Sequence, residues 1–274
     1  MQLKPQSRGI ILNSSDQRDV SKMLTIESSF KGFAIAGGGG NFFSPSPKPC
    51  LRWLGRNYVR GVRLQACEIA GHTTMVGCHI TGTIKIEPNA VLEMVGCLIL
   101  STNPHGVRVG KQATLRATDC DFRLDVVDRQ MNQHIKTDMP GAREISLRGC
   151  RFSGDSLADV ALEIGGMQTL QVEGCTFEFK REESPEVGRW YSNRVGHGVA
   201  LMRGVPPFTR IKGNTFMDRG IFVNAQTSLA IEDNRFEKRS ASLRGAFIDA
   251  INGASVIGVA ESILVNISDP CAST

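Results

Sequence analysis

Three charged residues are the candidates for chemistry in this chain: Arg108, Asp138 and Glu163. Each lies in or beside a short stretch of alternating apolar residues, and such stretches recur along the sequence. If the stretches stack as neighbouring strands, Asp138 and Glu163 come about one strand spacing apart, which suits the ~5–5.5 Å carboxylate pair of a retaining glycosidase. The alternative is a solvated row in which Arg108 offsets both acids by ion pairing.

The same outward position of each repeat supplies candidates for ligand binding. Read along the chain, the predicted row consists of Lys85, Arg108, Asp138, Glu163, Ala200, Phe222 and Ile248. Lys85 and Phe222 are predicted ligand contacts, with Phe222 either exposed as an apolar face or packed under a loop. Trp190 and Tyr191 lie in a long insertion, where their rings either offer flat faces to a sugar or anchor the insertion to the coil.

The elements that position these residues derive from one repeated phrase. Its central position holds cysteine or asparagine in eight places: Cys67, Cys78, Cys97, Cys120, Cys150, Cys175, Asn214 and Asn234. The residue before it is small or turn-forming, which suits a bend with left-handed backbone angles. Mostly apolar residues stand five and three positions earlier, at the period of a strand. Two positions later the sequence has Ile69, Ile80, Ile99, Phe122, Phe152, Phe177, Phe216 and Phe236.

A second apolar pair precedes this strand in several units, for example Ile84 with Ile86 and Val107 with Val109. Each unit is therefore predicted to hold two short strands, and most units start about 20 to 30 residues apart, the period of a solenoid. One unit cannot bury its own apolar row, but stacked units bury it against their neighbours. The prediction is an all-β, single-stranded, right-handed parallel β-helix of about eight to nine coils with long turn loops, in which like residues lie over like.

The predicted boundaries follow from the repeat. Residues 1–49 form an irregular N-terminal coil and cap with a Gly/Pro-rich loop and a short helix at 14–24, residues 50–265 form the β-helix, and residues 266–274 form a tail. Residues 123–140 and 178–198 are predicted surface loops. Cys67 and Cys78 are only 11 residues apart, so one of them is expected on a different face, or else that coil is degenerate.

Over residues 50–265 this layout resembles the right-handed parallel β-helix of pectate lyases, polygalacturonases, phage tailspikes and the carbohydrate-binding/sugar-hydrolysis repeat proteins. The resemblance is specific for the fold and unspecific for function. Resemblance to pectate lyases implies a Ca²⁺ ion held by Asp138 and Glu163, with Arg108 as the base.

Part of the chain also resembles the polygalacturonase signature. The matching segments are Lys136-Thr137-Asp138, Gly154-Asp155-Ser156, Gly196-His197-Gly198 and Arg210-Ile211-Lys212. Lysine and serine replace two signature residues, and the last segment belongs to the second strand of its unit. His197 remains a ligand-binding candidate. The alternative is that His-Gly marks a turn, because His105-Gly106 opens another unit in the same way.

Composition limits the expected partners and the cellular location of the protein but does not identify a ligand. The 274 residues carry a net charge of +5, with acidic and basic residues interspersed, so neither nucleic acid nor a membrane is an expected partner. The N-terminus lacks the apolar run of a signal peptide, which predicts a cytoplasmic protein, or an exported or virion protein without its leader. The eight cysteines are interpreted as small buried side chains, with disulfides between coils as the alternative. No CxxC spacing suggests zinc.

The expected function is that of a scaffold which binds an extended ligand, a polysaccharide or a protein, along one sheet and its loops. Two alternatives stay open. One is a polysaccharide lyase or glycoside hydrolase that acts on an acidic glycan, with Ca²⁺ as its only suggested cofactor. The other is a tailspike-like or structural fibre segment, which predicts a trimer in place of a monomer.

Overall fold

The computed structural model describes thirteen segments of the chain: residues 9–10, 23–27, 34–35, 51–64, 66–101, 105–124, 133–138, 141–154, 160–178, 196–225, 227–239, 247–259 and 265–268. Every regular element in these segments is a β-strand. In the same segments there is no helix long and apolar enough to cross a membrane.

The strands form three parallel sheets of ten strands each, and the chain visits the sheets in a fixed order. The first sheet consists of Leu51–Trp53, Cys67–Ile69, Ile84–Ile86, His105–Val109, Gln133–Thr137, Val160–Ile164, Gly196–Leu201, Arg219–Asn224, Ile248–Ile251 and Val265–Ser268. The second sheet consists of Met23–Glu27, Arg56–Arg60, His72–Val76, Val91–Val95, Thr114–Thr118, Glu144–Arg148, Thr169–Glu173, Phe208–Lys212, Ser228–Glu232 and Ser255–Ile257. The third sheet consists of Gly9–Ile10, Ala34–Ile35, Arg63–Leu64, His79–Thr81, Leu98–Ser101, Asp121–Leu124, Arg151–Ser153, Thr176–Glu178, Thr215–Met217 and Arg235–Glu237.

From Leu51 to Glu237 the chain passes through the first, second and third sheets eight times in succession. Each pass is one coil, and each strand pairs in parallel with the equivalent strands of the coils before and after it. The parallel β-helix is confirmed. Parallel crossovers of this kind are right-handed as a general rule. Each coil has three strands where the sequence predicted two, because the chain turns before the Ile or Phe position and begins a third strand there.

The interior is built from like residues in register. Phe122, Phe152, Phe177, Phe216 and Phe236 stack as a continuous column, with ring centroids 4.8–4.9 Å apart and interplanar angles of 4–10°. Aliphatic residues of the first and second sheets, such as Ile84 over Val107 and Leu92 over Leu115, complete the core. The predicted column of aromatic side chains is confirmed.

The turn between the second and third sheets explains the residue before each cysteine or asparagine. Seven of these residues have φ between 52° and 65°: Gly77, Gly96, Asp119, Gly149, Gly174, Gly213 and Asp233. This left-handed region favours glycine, and aspartate tolerates it better than most residues. The cysteines after the turn are buried and free.

Cys67 does not follow this turn. It lies in the first sheet, where it pairs with Leu51 and Ile84. Val62 occupies the turn position instead. Its carbonyl oxygen accepts a hydrogen bond from His79 N–H, and in the next coil the carbonyl oxygen of Cys78 accepts the equivalent bond from Leu98 N–H. The expectation that one of the two closely spaced cysteines lies on another face is confirmed, and Cys67 is that residue.

Three strands differ from the segments predicted from the sequence. Met23 and Leu24, assigned to a helix from the sequence, belong to a strand that pairs with Arg56–Arg60. The strand Gln133–Thr137 lies inside the predicted loop 123–140. Val265–Ser268 pairs with Ile248–Ile251 and so runs past the predicted boundary at residue 265.

Candidate functional site

The outward face of the first sheet carries one row of polar side chains, a single residue from each strand. Strand pairing places these six side chains on consecutive strands: Arg52, Glu68, Lys85, Arg108, Lys136 and Glu163. All six are partly exposed, with 18–48% of each side chain accessible. We call this set the charged row.

Two residues of the predicted row are placed elsewhere. Lys136, not Asp138, pairs with Arg108 and Glu163, because Asp138 follows the last residue of its strand. At the other end, Asp249 pairs with Phe222, whereas Ile248 pairs with Ile221 and is buried. Ile248 is one position from its predicted register, and a slip of one residue moves a side chain to the opposite face. Asp138 is two positions from its predicted register, which keeps the face but places the residue after the end of the strand.

Asp138 nevertheless reaches the charged row through its side chain. Arg108 Nη2 donates to Asp138 Oδ1 over 2.8 Å. The pairing expected between these two residues is thus present although the register of Asp138 was wrong.

Glu163 is held by a different set of groups. Lys136 Nζ lies 3.3 Å from its Oε1, and Gln133 Nε2 donates to its Oε2 over 2.8 Å. Each candidate carboxylate therefore has its own cationic partner.

The N-terminal half of the charged row is paired in the same way. Glu68 lies between Arg52, at 3.9 Å, and Lys85, at 3.3 Å. Arg52 also contacts Glu87 with both Nε and Nη2, and this hydrogen bond raises the pKa of the guanidinium against the opposing effect of burial.

The side chains of His105 and Gln133 lie beside the middle of the row and interact with each other. Next to them, Arg108 Nε is buried, with no hydrogen-bond partner in the described part of the chain. His105 and Gln133 pair in register, three residues before Arg108 and Lys136 on the same two strands. Burial, followed by the charge of Lys136, lowers the pKa of His105, which favours a neutral ring. Sequence reasoning missed His105 and Gln133 as site residues, because their proximity depends on strand pairing across a connection of variable length.

The C-terminal continuation of the row is apolar and more closed. Ala200 pairs with Glu163 but is buried, and Phe222 follows it, half-buried. The ring of His197 lies 5.3 Å from that of Phe222, at 51°. The register of these two strands shifts by one residue at Gly198. A Cβ atom at this position would come 2.7 Å from Phe216 and 3.1 Å from Phe177. Only glycine fits against the aromatic column at this point.

The remaining predicted site residues are not brought together. Trp190 and Tyr191 lie outside the described residues, as do Asp155 and Ser156 of the signature-like segments. Arg210 lies in the second sheet and His197 in the first, so these two segments occupy different faces. Among the described residues no group of three or more His, Cys, Asp or Glu side chains is arranged to hold a metal ion.

Comparison with known proteins adds no assignment. No protein-family model matches this chain, and neither a curated protein nor a solved structure matches it.

Proposed function

We propose that this protein is a binding scaffold whose charged row holds an extended carbohydrate along the first sheet. The observation that carries the proposal is the row itself: six polar side chains at one position of six consecutive strands. At the spacing of parallel strands the row extends about 24 Å. A repeating row of this length suits a repeating, extended ligand better than a small compact one.

Carbohydrate is favoured by the chemistry along the row. Sugar hydroxyl groups both donate and accept hydrogen bonds, and the row offers both kinds of partner. The ammonium groups of Lys85 and Lys136 donate, whereas the carboxylates of Glu68 and Glu163 accept. At the C-terminal end, Phe222 adds an aromatic ring of the kind that packs on the apolar face of a sugar.

Kinship with pectate-lyase-like β-helices would agree with this function and remains part of the proposal. The proposal does not require catalysis.

A glycan array followed by calorimetry on the best oligosaccharide tests the proposal. We expect Lys85→Ala to weaken binding about three- to tenfold through the loss of a hydrogen bond and of the alkyl stem. Lys212→Ala is the matched control, because Lys212 is similarly exposed and also pairs with a glutamate, but lies in the second sheet. The proposal fails if no glycan binds, or if both variants weaken binding equally.

A further inference from the structure

The charge balance of the charged row restricts the kind of carbohydrate it can hold. Its bases are Arg52, Lys85, Arg108 and Lys136. The acids that contact them are Glu68, Glu87, Asp138 and Glu163. Glu87 and Asp138 lie outside the row, but when they are counted with it the four positive and four negative groups give no net charge.

An anionic ligand gains little electrostatic binding energy from such a row. Each base already has a carboxylate within 2.5–3.3 Å, so an incoming acidic group must compete with that carboxylate and lie close to it. Like-charge repulsion then offsets most of the attraction to the base. A cationic ligand meets the same difficulty with the signs reversed.

A neutral hydroxyl group does not meet this competition. It can donate to a carboxylate of the row, such as Glu68 or Glu163, and accept from a base, such as Lys85 or Lys136, without adding a charge beside either member of an ion pair.

From this we infer that the ligand of the charged row is an uncharged, hydroxyl-rich glycan. The inference rests on the proposed function and narrows it, since it excludes acidic polysaccharides as the preferred ligand.

The test compares a neutral oligosaccharide series with a uronate-containing series of equal length, each titrated at ~50 mM and ~500 mM NaCl. We expect neutral oligosaccharides to bind at least about tenfold more tightly, a difference of about 1.4 kcal/mol, with less than about a twofold change between the two salt concentrations. Tighter, salt-sensitive binding of the acidic series would overturn the inference while leaving the binding function intact. Absence of binding by either series would overturn both.

A charge variant gives a second readout. Glu68→Gln leaves the row with one net positive charge, so the affinity for acidic oligosaccharides at low salt should rise at least about threefold. Glu144→Gln is the control: its side chain is 21% exposed against 22% for Glu68, and it also pairs with a base, Arg116, but on the second sheet. An equal rise in both variants would point to a general charge effect and would contradict the inference.

Discussion

The side-chain amide of Asn214 donates a hydrogen bond to the backbone carbonyl of Val172 over 2.9 Å. Cys150 makes the equivalent contact two coils earlier, where its Sγ lies 3.5 Å from the carbonyl of Ala117. In both cases the acceptor stands three residues before the cysteine of the preceding coil. A small side chain with a donor and an acceptor therefore satisfies the backbone at this turn, and this explains why asparagine can replace cysteine there.

Replacement of Cys150 by asparagine should keep the fold, with a change in the free energy of unfolding of less than about 1.5 kcal/mol. Cys150→Lys should cost more than about 4 kcal/mol, because an unpaired charge would enter the buried interior. Urea unfolding followed by circular dichroism measures both values. Equal losses in the two variants would show that the position tolerates no polar side chain, contrary to this account.

The aromatic column should be one of the main contributors to stability. Phe177 stacks between Phe152 and Phe216 and is fully buried, so Phe177→Ala should lower the free energy of unfolding by about 3–5 kcal/mol. Phe208, which is 72% exposed, provides the same substitution outside the core, and its loss should change stability by less than about 0.5 kcal/mol. Similar losses in both variants would contradict the internal column.

Backbone strain alone is testable at Gly174, whose φ is 61° and whose Cβ position is open. Gly174→Ala should cost about 1–2 kcal/mol, because a side chain there disfavours left-handed angles without creating a clash. Gly174→Asp should cost less than Gly174→Ala, since Asp119 and Asp233 already occupy equivalent turns at φ of 52° and 54°. The reverse order in chemical denaturation would show that the conformation does not set the preference.

The buried ring of His134 predicts a specific loss of stability in acid. Its Nε2 lies 2.8 Å from the carbonyl oxygen of Ser153, and its ring meets Phe152 edge-on. Burial, with a smaller contribution from the charge of Arg219, lowers the pKa of His134 from 6.5 to about 4, although the hydrogen bond to Ser153 and the charge of Asp121 oppose this shift.

The unfolded chain therefore takes up this proton near pH 6.5 and the folded chain only near pH 4. The contribution is fully present above pH 6.5, and about 3 kcal/mol is lost as the pH falls through this interval. The pH dependence of unfolding should be shallower by up to one proton in His134→Gln. Identical slopes for the wild type and His134→Gln would contradict the assignment.

The fold was predictable because each copy of the repeat specifies both the turn and the buried side chain that follows it. Gly or Asp at a left-handed turn, followed by Phe152, Phe177 and their equivalents two residues past the cysteine, predicts a parallel coil without any knowledge of the loops. The charged row was predicted less well. The strand Gln133–Thr137 has a buried threonine where other coils have an aliphatic residue, so its alternation is weak and Asp138 was placed in the register of Lys136.

The threonine itself has a physical explanation. Thr137 Oγ1 accepts a hydrogen bond from Gly165 N–H over 2.8 Å, so a polar side chain is stable at an interior position. The cluster of His105 and Gln133 was not predictable at all. Their contact depends on which residues pair across two coils, and residue spacing does not determine that pairing when connection lengths vary.

The most direct test of the central claim is a crystal structure of the protein with the tightest-binding neutral oligosaccharide. The account predicts density for a chain of sugars along the outward face of the first sheet, with hydroxyl groups within hydrogen-bond distance of Lys85, Lys136 and Glu163. Density confined to the second or third sheet, or a sugar that contacts none of these three side chains, would contradict it.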